Sequence, residues 1–261
     1  SAIKKMTRLE WFKAVDLHAR MSLRADAQKL ALGYLWWALE PIFFVAVFYL
    51  VFGVILQSGR ADFLTFLIVG KLPFQWFAGA VNQSANSIVS ARPVVGQLSM
   101  NLSFFPLSKV QEGSYKQMAV FVLLFTYVAI GAAPPSLWWL LVIPIAICQY
   151  FLIAAVSMVC SVFVCIARDY AKIIQLCVMA LMFASGIFWD VRALPDDARD
   201  FMLMVNPIAY LLDAYRQVLL YQEPFNYAGL WIWTMISIVV VYFINKLIRN
   251  YRAELVLRVL E

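Results

Sequence analysis

The residue with the clearest chemical potential is Lys71, which interrupts a long apolar segment between Gly70 and Pro73. Burying an ammonium group in hydrocarbon costs at least about 2.5 to 3.5 kcal/mol unless the side chain faces protein or water. A lysine that lines a pathway through a membrane could bind a pyrophosphate or an acidic sugar. The alternative is that Gly70 and Pro73 break the helix and Lys71 extends to the membrane interface. The sequence leaves both interpretations open.

Aromatic residues form a second group, whose side chains could bind sugar rings. The C–H face of a pyranose ring packs on aromatic rings without a fixed hydrogen-bond geometry. Tryptophan and tyrosine are also typical of the two membrane interfaces, so periodicity does not decide between these roles. The candidates for an aromatic pathway are Trp36, Trp37, Phe43, Phe44, Tyr49, Phe183, Phe188, Trp189, Tyr210 and Tyr215.

The sequence lacks the signatures of an enzyme or an ion-driven transporter. The Gly70–Lys71 pair has neither the upstream glycine nor the following serine or threonine of a phosphate-binding loop. The apolar segments carry no series of carboxylates and no carboxylate–histidine pair of the kind that proton relays need. The four cysteines lack the spacing of a zinc site. We therefore expect no catalytic residue, metal or cofactor on this chain, and a secondary transporter or channel becomes a weaker alternative.

The elements that carry these residues need lipid as their solvent. Hydrophobic residues make up 64% of the 261 and charged residues 14%, and the mean hydropathy is +0.80. The apolar residues fall in separate runs of roughly 18 to 25, the length at which a helix crosses about 30 Å of hydrocarbon. The sequence thus predicts an all-α membrane protein with about six transmembrane helices, at 34–57, 63–84, 116–133, 137–166, 172–189 and 227–247.

Positive charges predict the orientation of these helices. Most of the 21 lysine and arginine residues lie in the N-terminal segment, in residues 85–116, in residues 167–172 and in the C-terminal tail. The positive-inside rule makes these segments and both termini cytoplasmic. Orientation therefore accounts for the net charge of +6, and no nucleic-acid partner is needed to explain it.

A single domain is expected over residues 1–261, with a cytoplasmic amphipathic segment (1–32), a membrane-spanning region (34–247) and a cytoplasmic tail (248–261). Residues 8–30 have the pattern of an amphipathic helix on the membrane surface, which either anchors the chain or docks a cytoplasmic partner. The two predicted faces hold Phe12, Val15, Ala19, Leu23 and Leu30 on the apolar side, and Lys13, Asp16, Arg20 and Arg24 on the polar side.

Four short motifs carry a likeness to a known family. They are GYLWWALEP at 33–41, YLVFG at 49–53, IARDY at 166–170, and NPIAY at 206–210 with Asp213, Tyr215 and Arg216 after it. In their order and spacing, and in the length and hydropathy profile of the chain, they resemble the polysaccharide and polyol-phosphate exporter branch of the ABC-2 permease family. The likeness covers almost the entire chain.

The resemblance implies an exporter with two copies of this chain around a conduit and two separate ATPase subunits, which would bind ATP and Mg²⁺. Residues 85–113 would form a cytoplasmic gate helix, and residues 190–226 would form re-entrant helices at the periplasmic mouth before the last span. Arg92 would be a candidate for the gate or for binding a lipid pyrophosphate. Lys71 has no counterpart that we can assign in the family, and it is a candidate for the same roles from its charge within a span alone. The residues that couple this chain to the movement of the ATPase subunits would be Lys13, Arg20, Arg24, Arg168 and Asp169.

The implied cargo is a lipid-linked polysaccharide, of the O-antigen type first of all, which would cross a bacterial inner membrane. Capsular polysaccharide and teichoic acid are alternatives within the same branch, and a small hydrophobic compound is the alternative within the wider family. Membrane lipids complete the set of expected partners.

Overall fold

The chain folds as a bundle of α-helices in the computed structural model, which describes residues 7–29, 33–55, 57, 62–96 and 100–260. These residues contain no β-strand, in agreement with the prediction of an all-α protein. The helices are α1 (Arg8–Lys29), α2 (Trp36–Phe48), α3 (Phe63–Ala85), α4 (Ser87–Ser90), α5 (Arg92–Val95), α6 (Phe104–Gly131), α7 (Val142–Ile166), α8 (Tyr170–Ala184), α9 (Asp196–Val205), α10 (Pro207–Arg216), α11 (Tyr227–Asn250) and α12 (Arg252–Leu260).

Among the described residues, five helical segments are long and apolar enough to cross a membrane. Three of these segments are the helices α3, α6 and α11. In the other two, short 3₁₀ or π turns extend a helix: the segment Gly33–Ile55 contains α2, and the segment Leu137–Ile166 contains α7. Five of the six predicted spans are thereby confirmed. α6 begins at Phe104, well before the predicted start at 116, because the polar side chains of its first turns pair within the helix.

The remaining predicted span, 172–189, corresponds to α8, which is shorter than expected. Its 15 residues extend for about 23 Å, less than the roughly 30 Å of a bilayer core. The helix ends at Ala184 because the chain turns at Gly186, whose φ of +74° favours glycine. The carbonyls of Gly186 and Ile187 then accept hydrogen bonds from Arg216 and do not continue the helix.

The gate helix expected over 85–113 is not one helix. The chain forms the single turns α4 and α5 and then reaches the start of α6 at Phe104. Pro93 contributes to the break, because it has no N–H to continue the hydrogen-bond ladder of α4.

The amphipathic helix predicted over 8–30 is confirmed as α1. Val15, Ala19 and Leu23 share one face as predicted, but this face is buried in the protein, where α1 packs on α6, and does not lie on the membrane surface. Phe12 is different, since 62% of its surface remains exposed. Leu30, which was also assigned to the apolar face, lies outside the described residues.

α3 lies at the centre of the bundle and packs against α6, α7 and α10. A second apolar cluster joins α1, α4, α5, the start of α6 and α12, and we call this part of the molecule the basic end. We call the opposite part, where α9 and α10 lie, the hairpin end. The helices α2 and α11 differ from α3, because most of their apolar surface is uncovered.

Candidate functional site

Lys71 lies inside α3, which continues without a break through Gly70 and Pro73. Only 4% of the Lys71 surface is exposed. Its Nζ lies 4.1 Å from the centroid of the Phe44 ring and donates a 3.3 Å hydrogen bond to Sδ of Met182. The interpretation in which Gly70 and Pro73 break the helix is therefore wrong. A desolvated cation–π contact is worth about 2 kcal/mol or more, which offsets much of the cost of burial.

Gly70 has a different function from the expected helix break. The guanidinium of Arg216 lies against it, so a Cβ at position 70 would come within 2.2 Å of Nη2 of Arg216. Arg216 is only 2% exposed and donates hydrogen bonds to the carbonyls of Gly186, Ile187 and Phe66 at 2.7, 3.3 and 3.2 Å. It thereby joins α3, the turn after α8 and α10.

A chain of buried hydrogen bonds continues from α10 to the middle of α3. The Tyr215 hydroxyl donates to Oε1 of Gln149 at 2.8 Å, and Nε2 of Gln149 donates to the Pro73 carbonyl at 2.7 Å. From α6, Nε2 of Gln117 donates to the carbonyl of Leu72 at 3.5 Å. Sequence reasoning missed both glutamines, although an amide side chain within an apolar span is itself a signal of a buried partner.

The hairpin end is held by ionic contacts as well. Arg192 lies 3.4 Å from Asp213 and 3.4 Å from Glu223, and its guanidinium is 4.6 Å from the centroid of the Tyr221 ring. The hydroxyl of Tyr210 donates to a backbone carbonyl just before α11. Within the segment 190–226, α10 is therefore packed into the bundle, whereas α9 has no buried residue.

The ten predicted pathway aromatics do not form one surface in this structure. Trp36 and Trp37 line a cavity at the basic end. Phe43 and Phe44 of α2, and Tyr49 at the start of the π turn that follows, are exposed on the outside of the bundle. Tyr210 and Tyr215 are buried in the core. The remaining members, Phe183, Phe188 and Trp189, cluster around the turn after α8.

α1 is docked on α6 by polar contacts at the basic end. Tyr115 donates a short hydrogen bond to Asp16, and Arg20 bonds Asp16 at 2.9 Å and the Tyr115 hydroxyl at 3.3 Å. Lys109 donates to Ser22 at 3.1 Å. The predicted coupling residues are all exposed, with Lys13, Arg20 and Arg24 on α1 and Arg168 and Asp169 between α7 and α8.

A buried carboxylate under this contact was not anticipated. The Glu112 side chain is only 1% exposed and lies 2.7 Å from Lys109 and 2.9 Å from Lys116. The i,i+3 and i,i+4 spacing of these residues on one helix is the signal that could have shown the cluster.

Arg92 is exposed, and its guanidinium donates a short hydrogen bond to the Leu260 carbonyl at the end of α12. Leu255 and Val259 of the same helix are buried against the segment that contains Val95. The tail, which the sequence characterises only as basic, is thus a helix that packs on α5 and α7.

Comparison with known proteins agrees with this architecture. The profile of a family described as ABC-2 type transporter matches residues 28–220. Two relatives from Klebsiella pneumoniae, both called O-antigen export system permease protein RfbA, are 25% and 24% identical over 197 residues, which is 75% of this chain and 76% of each relative. A protein of the same name from Myxococcus xanthus is 23% identical over 235 residues, 89% of this chain and 90% of its own length. Because the family match extends over most of the sequence and the fold is a helical membrane bundle, this chain belongs to the ABC-2 type transporter family.

Proposed function

We propose that this chain is the transmembrane subunit of an ATP-driven exporter that moves a lipid-linked polysaccharide of the O-antigen type across a bacterial inner membrane. The observation that carries the proposal is the common name of three relatives, each of which aligns with at least three quarters of this chain. The multi-pass helical architecture supports the same function.

Membership of the ABC-2 family implies an ATPase partner. Two ATPase subunits would bind ATP and Mg²⁺, and two copies of this chain would enclose the conduit. The uncovered apolar surface of α2 and α11 supports such a pair, because a second copy could bury part of it. The basic end would face the cytoplasm together with both termini, as the distribution of positive charges indicates.

The coupling surface would be the outer face of α1 with the turn at Arg168 and Asp169. Lys13 and Arg24 are exposed beside the buried stripe of α1 and would be available to an ATPase subunit, whereas Arg20 also bonds Asp16 and Tyr115. The Asp16–Tyr115 contact and the salt-bridged Glu112 below it tie α1 to α6. A displacement of α1 would therefore move a membrane-spanning helix.

In this proposal the segment with α4 and α5 is the cytoplasmic gate, and α9 with α10 forms the re-entrant pair at the periplasmic mouth. Arg92 would bind the lipid pyrophosphate only after it leaves the Leu260 carbonyl, so release of α12 would accompany substrate entry. Lys71 lies next to Phe44 of α2, where a change in the packing of α2 would bring its ammonium to the conduit.

Reconstitution tests the proposal. The chain and its co-encoded ATPase are placed in proteoliposomes with a lipid-linked O-antigen glycan on the side that carries the ATPase, and a glycosidase on the other side reports transport. We expect digestion only with ATP, and none with a hydrolysis-deficient ATPase variant. Transport without the ATPase would instead identify a secondary transporter. Transport of a small hydrophobic dye with no transport of glycan would contradict the assigned cargo.

A further inference from the structure

A cavity of about 400 Å³ lies at the basic end between α2, α3 and α6, beside the end of α1. Trp36 and Trp37 line it from the start of α2, and Trp76 lines it from α3. Sites for small molecules typically measure about 300 to 1,000 Å³. A single water molecule needs only about 10 to 15 Å³ of such volume. The cavity is therefore large enough for a small ligand.

Two polar atoms at this cavity have no hydrogen-bond partner among the described residues. They are Nε1 of Trp76, a side chain that is only 7% exposed, and Oε1 of Gln75. Nε1 of Trp76 lies 3.8 Å from where a Cβ on Gly113 would be, and Gly113 lines the same cavity. A buried polar atom without a partner is costly, so the two atoms favour a ligand that can bond both of them.

The types of these two atoms restrict the chemistry of the ligand. An indole N–H only donates, and an amide oxygen only accepts. A phosphate or carboxylate would satisfy Trp76 but has no proton for Gln75, and an ammonium would satisfy Gln75 but cannot accept from Trp76. A hydroxyl group serves both, because its oxygen accepts and its proton is donated. The pair therefore favours a ligand that is rich in hydroxyl groups.

The lysines of the cavity wall are already paired. Nζ of Lys29 is 3.5 Å from Asp26, and Nζ of Lys116 is 2.9 Å from Glu112. A charged ligand would have to compete with these pairs, whereas an uncharged ligand would leave them intact. Glu40 also lines the cavity, and its carboxylate can accept further bonds from hydroxyl groups. Since the C–H face of a pyranose packs on aromatic rings, the tryptophans complete a wall that fits an uncharged sugar.

We propose that this cavity binds one uncharged sugar unit, whose hydroxyl groups bond Nε1 of Trp76 and Oε1 of Gln75 while its ring packs on a tryptophan. The inference rests on the proposed function for the source of the sugar, which is a unit of the exported glycan. The site lies within one copy of the chain, at the end that would face the cytoplasm. It therefore holds the glycan before the glycan enters the conduit between the two copies.

Saturation-transfer NMR of the full chain, purified in a detergent without a sugar headgroup, tests the site. The neutral probes are glucose, galactose, mannose and rhamnose, and the charged probes are glucuronate and glucosamine. We expect at least one neutral sugar to bind with a Kd in the millimolar range, and each charged sugar to bind at least tenfold more weakly than the best neutral one. No binding of any neutral sugar would show that water suffices for Trp76 and Gln75, and it would overturn the proposal. Equal binding of a charged sugar would refute the selection of an uncharged ligand.

Two pairs of variants locate the binding. Trp76→Phe removes the indole N–H but keeps an aromatic ring, and it should weaken binding at least fivefold. Trp139→Phe is its matched control, since Trp139 also has a buried Nε1 without a partner among the described residues but lines a different cavity. Gly79→Trp should abolish binding, because Gly79 lines the cavity and a Cβ there meets no atom within 4 Å, whereas Gly131→Trp has the same open space on α6 away from it. Unchanged binding in both Trp76→Phe and Gly79→Trp would place the sugar elsewhere and refute the site.

A competition measurement identifies the source of the sugar. Lipid-linked O-antigen glycan should displace the bound neutral sugar, and a failure to displace it would show that the site serves a free sugar and would refute the link to the cargo. The binding measurements need neither the ATPase nor transport. Absent binding with intact glycan transport would therefore overturn this site alone, and binding without any glycan transport would overturn the proposed function alone.

Discussion

Replacing Gly70 with alanine should destabilise the protein far more than an ordinary glycine-to-alanine change in a helix. The added methyl would lie 2.2 Å from Nη2 and 3.1 Å from Cζ of Arg216, well inside van der Waals contact. The guanidinium cannot retreat easily, because it is stacked 3.5 Å from the centroid of the Phe66 ring and bonded to three carbonyls. Relief of the clash requires that Arg216 give up some of these bonds.

The magnitude follows from the bonds that must break. A hydrogen bond to a charged group contributes about 1.5 to 3 kcal/mol. Nη2 makes the bonds to Phe66 and Ile187, and losing those two costs about 3 to 6 kcal/mol. A glycine-to-alanine change at an unhindered position in a helix interior would instead stabilise the protein by up to about 1 kcal/mol.

Thermal unfolding in detergent, followed by tryptophan fluorescence, measures the effect. We expect Gly70→Ala to lower the apparent Tm by at least about 6 °C. Gly79→Ala on the same helix is the control and should leave the Tm unchanged or slightly higher, since its Cβ would meet no atom within 4 Å. In a protein that already carries Arg216→Gln, the Gly70→Ala change should lower the Tm little further, because the guanidinium that clashes with the added methyl is absent. Equal Tm values for Gly70→Ala and Gly79→Ala, or additive losses in the double variant, would refute this account of Gly70.

Three further outcomes are expected. Glu112→Ala removes the carboxylate that pairs with two partly exposed lysines, and it should cost about 1.5 to 3 kcal/mol of unfolding free energy, whereas the exposed Glu254→Ala should cost almost nothing. His18 of α1 is exposed on one side and packs edge-on against the Phe104 ring at 5.2 Å. This partial desolvation and the nearby charge of Lys109 lower the pKa of His18, so the undocked α1 binds a proton more readily and docking should weaken below about pH 6.5. Faster proteolysis of α1 at pH 5.5 than at pH 8 would show this, and the difference should disappear in His18→Gln. Tyr215→Phe should cost about 1 to 3 kcal/mol in thermal unfolding, because Oε1 of Gln149 loses its donor, whereas the exposed Tyr242→Phe should have no effect.

The spans were predictable because the signal for each is local. An apolar run of hydrocarbon length identifies a membrane helix wherever it occurs, and the period of Val15, Ala19 and Leu23 identified α1 in the same way. α8 was overestimated, because its end depends on a turn at Gly186 that Arg216 stabilises from another part of the chain. Hydropathy alone contains no information about that contact.

The candidate sites were harder to predict, because their chemistry depends on distant partners. Gly70 and Pro73 left a helix break open as one of two interpretations, yet the glycine makes room for Arg216. The partner of that arginine, Phe66, is 150 residues away in sequence. Aromatic content predicted a pathway, but the fold buries Tyr215 completely. The positions of these side chains relative to one another required the tertiary structure.

The middle of α3, around Pro73, accepts side-chain hydrogen bonds from two other helices. Proline has no N–H, so the hydrogen-bond ladder of α3 is interrupted at this position, and the helix is easier to bend there than elsewhere. The carbonyls of Leu72 and Pro73 accept side-chain bonds from Gln117 of α6 and Gln149 of α7, and Gln149 in turn accepts from Tyr215 of α10. Since α6 also carries the docking site of α1, a shift of α6 relative to α3 must change these bonds. A continuous set of contacts therefore runs from α1 through α6, α3 and α7 to α10, and Pro73 lies at its centre.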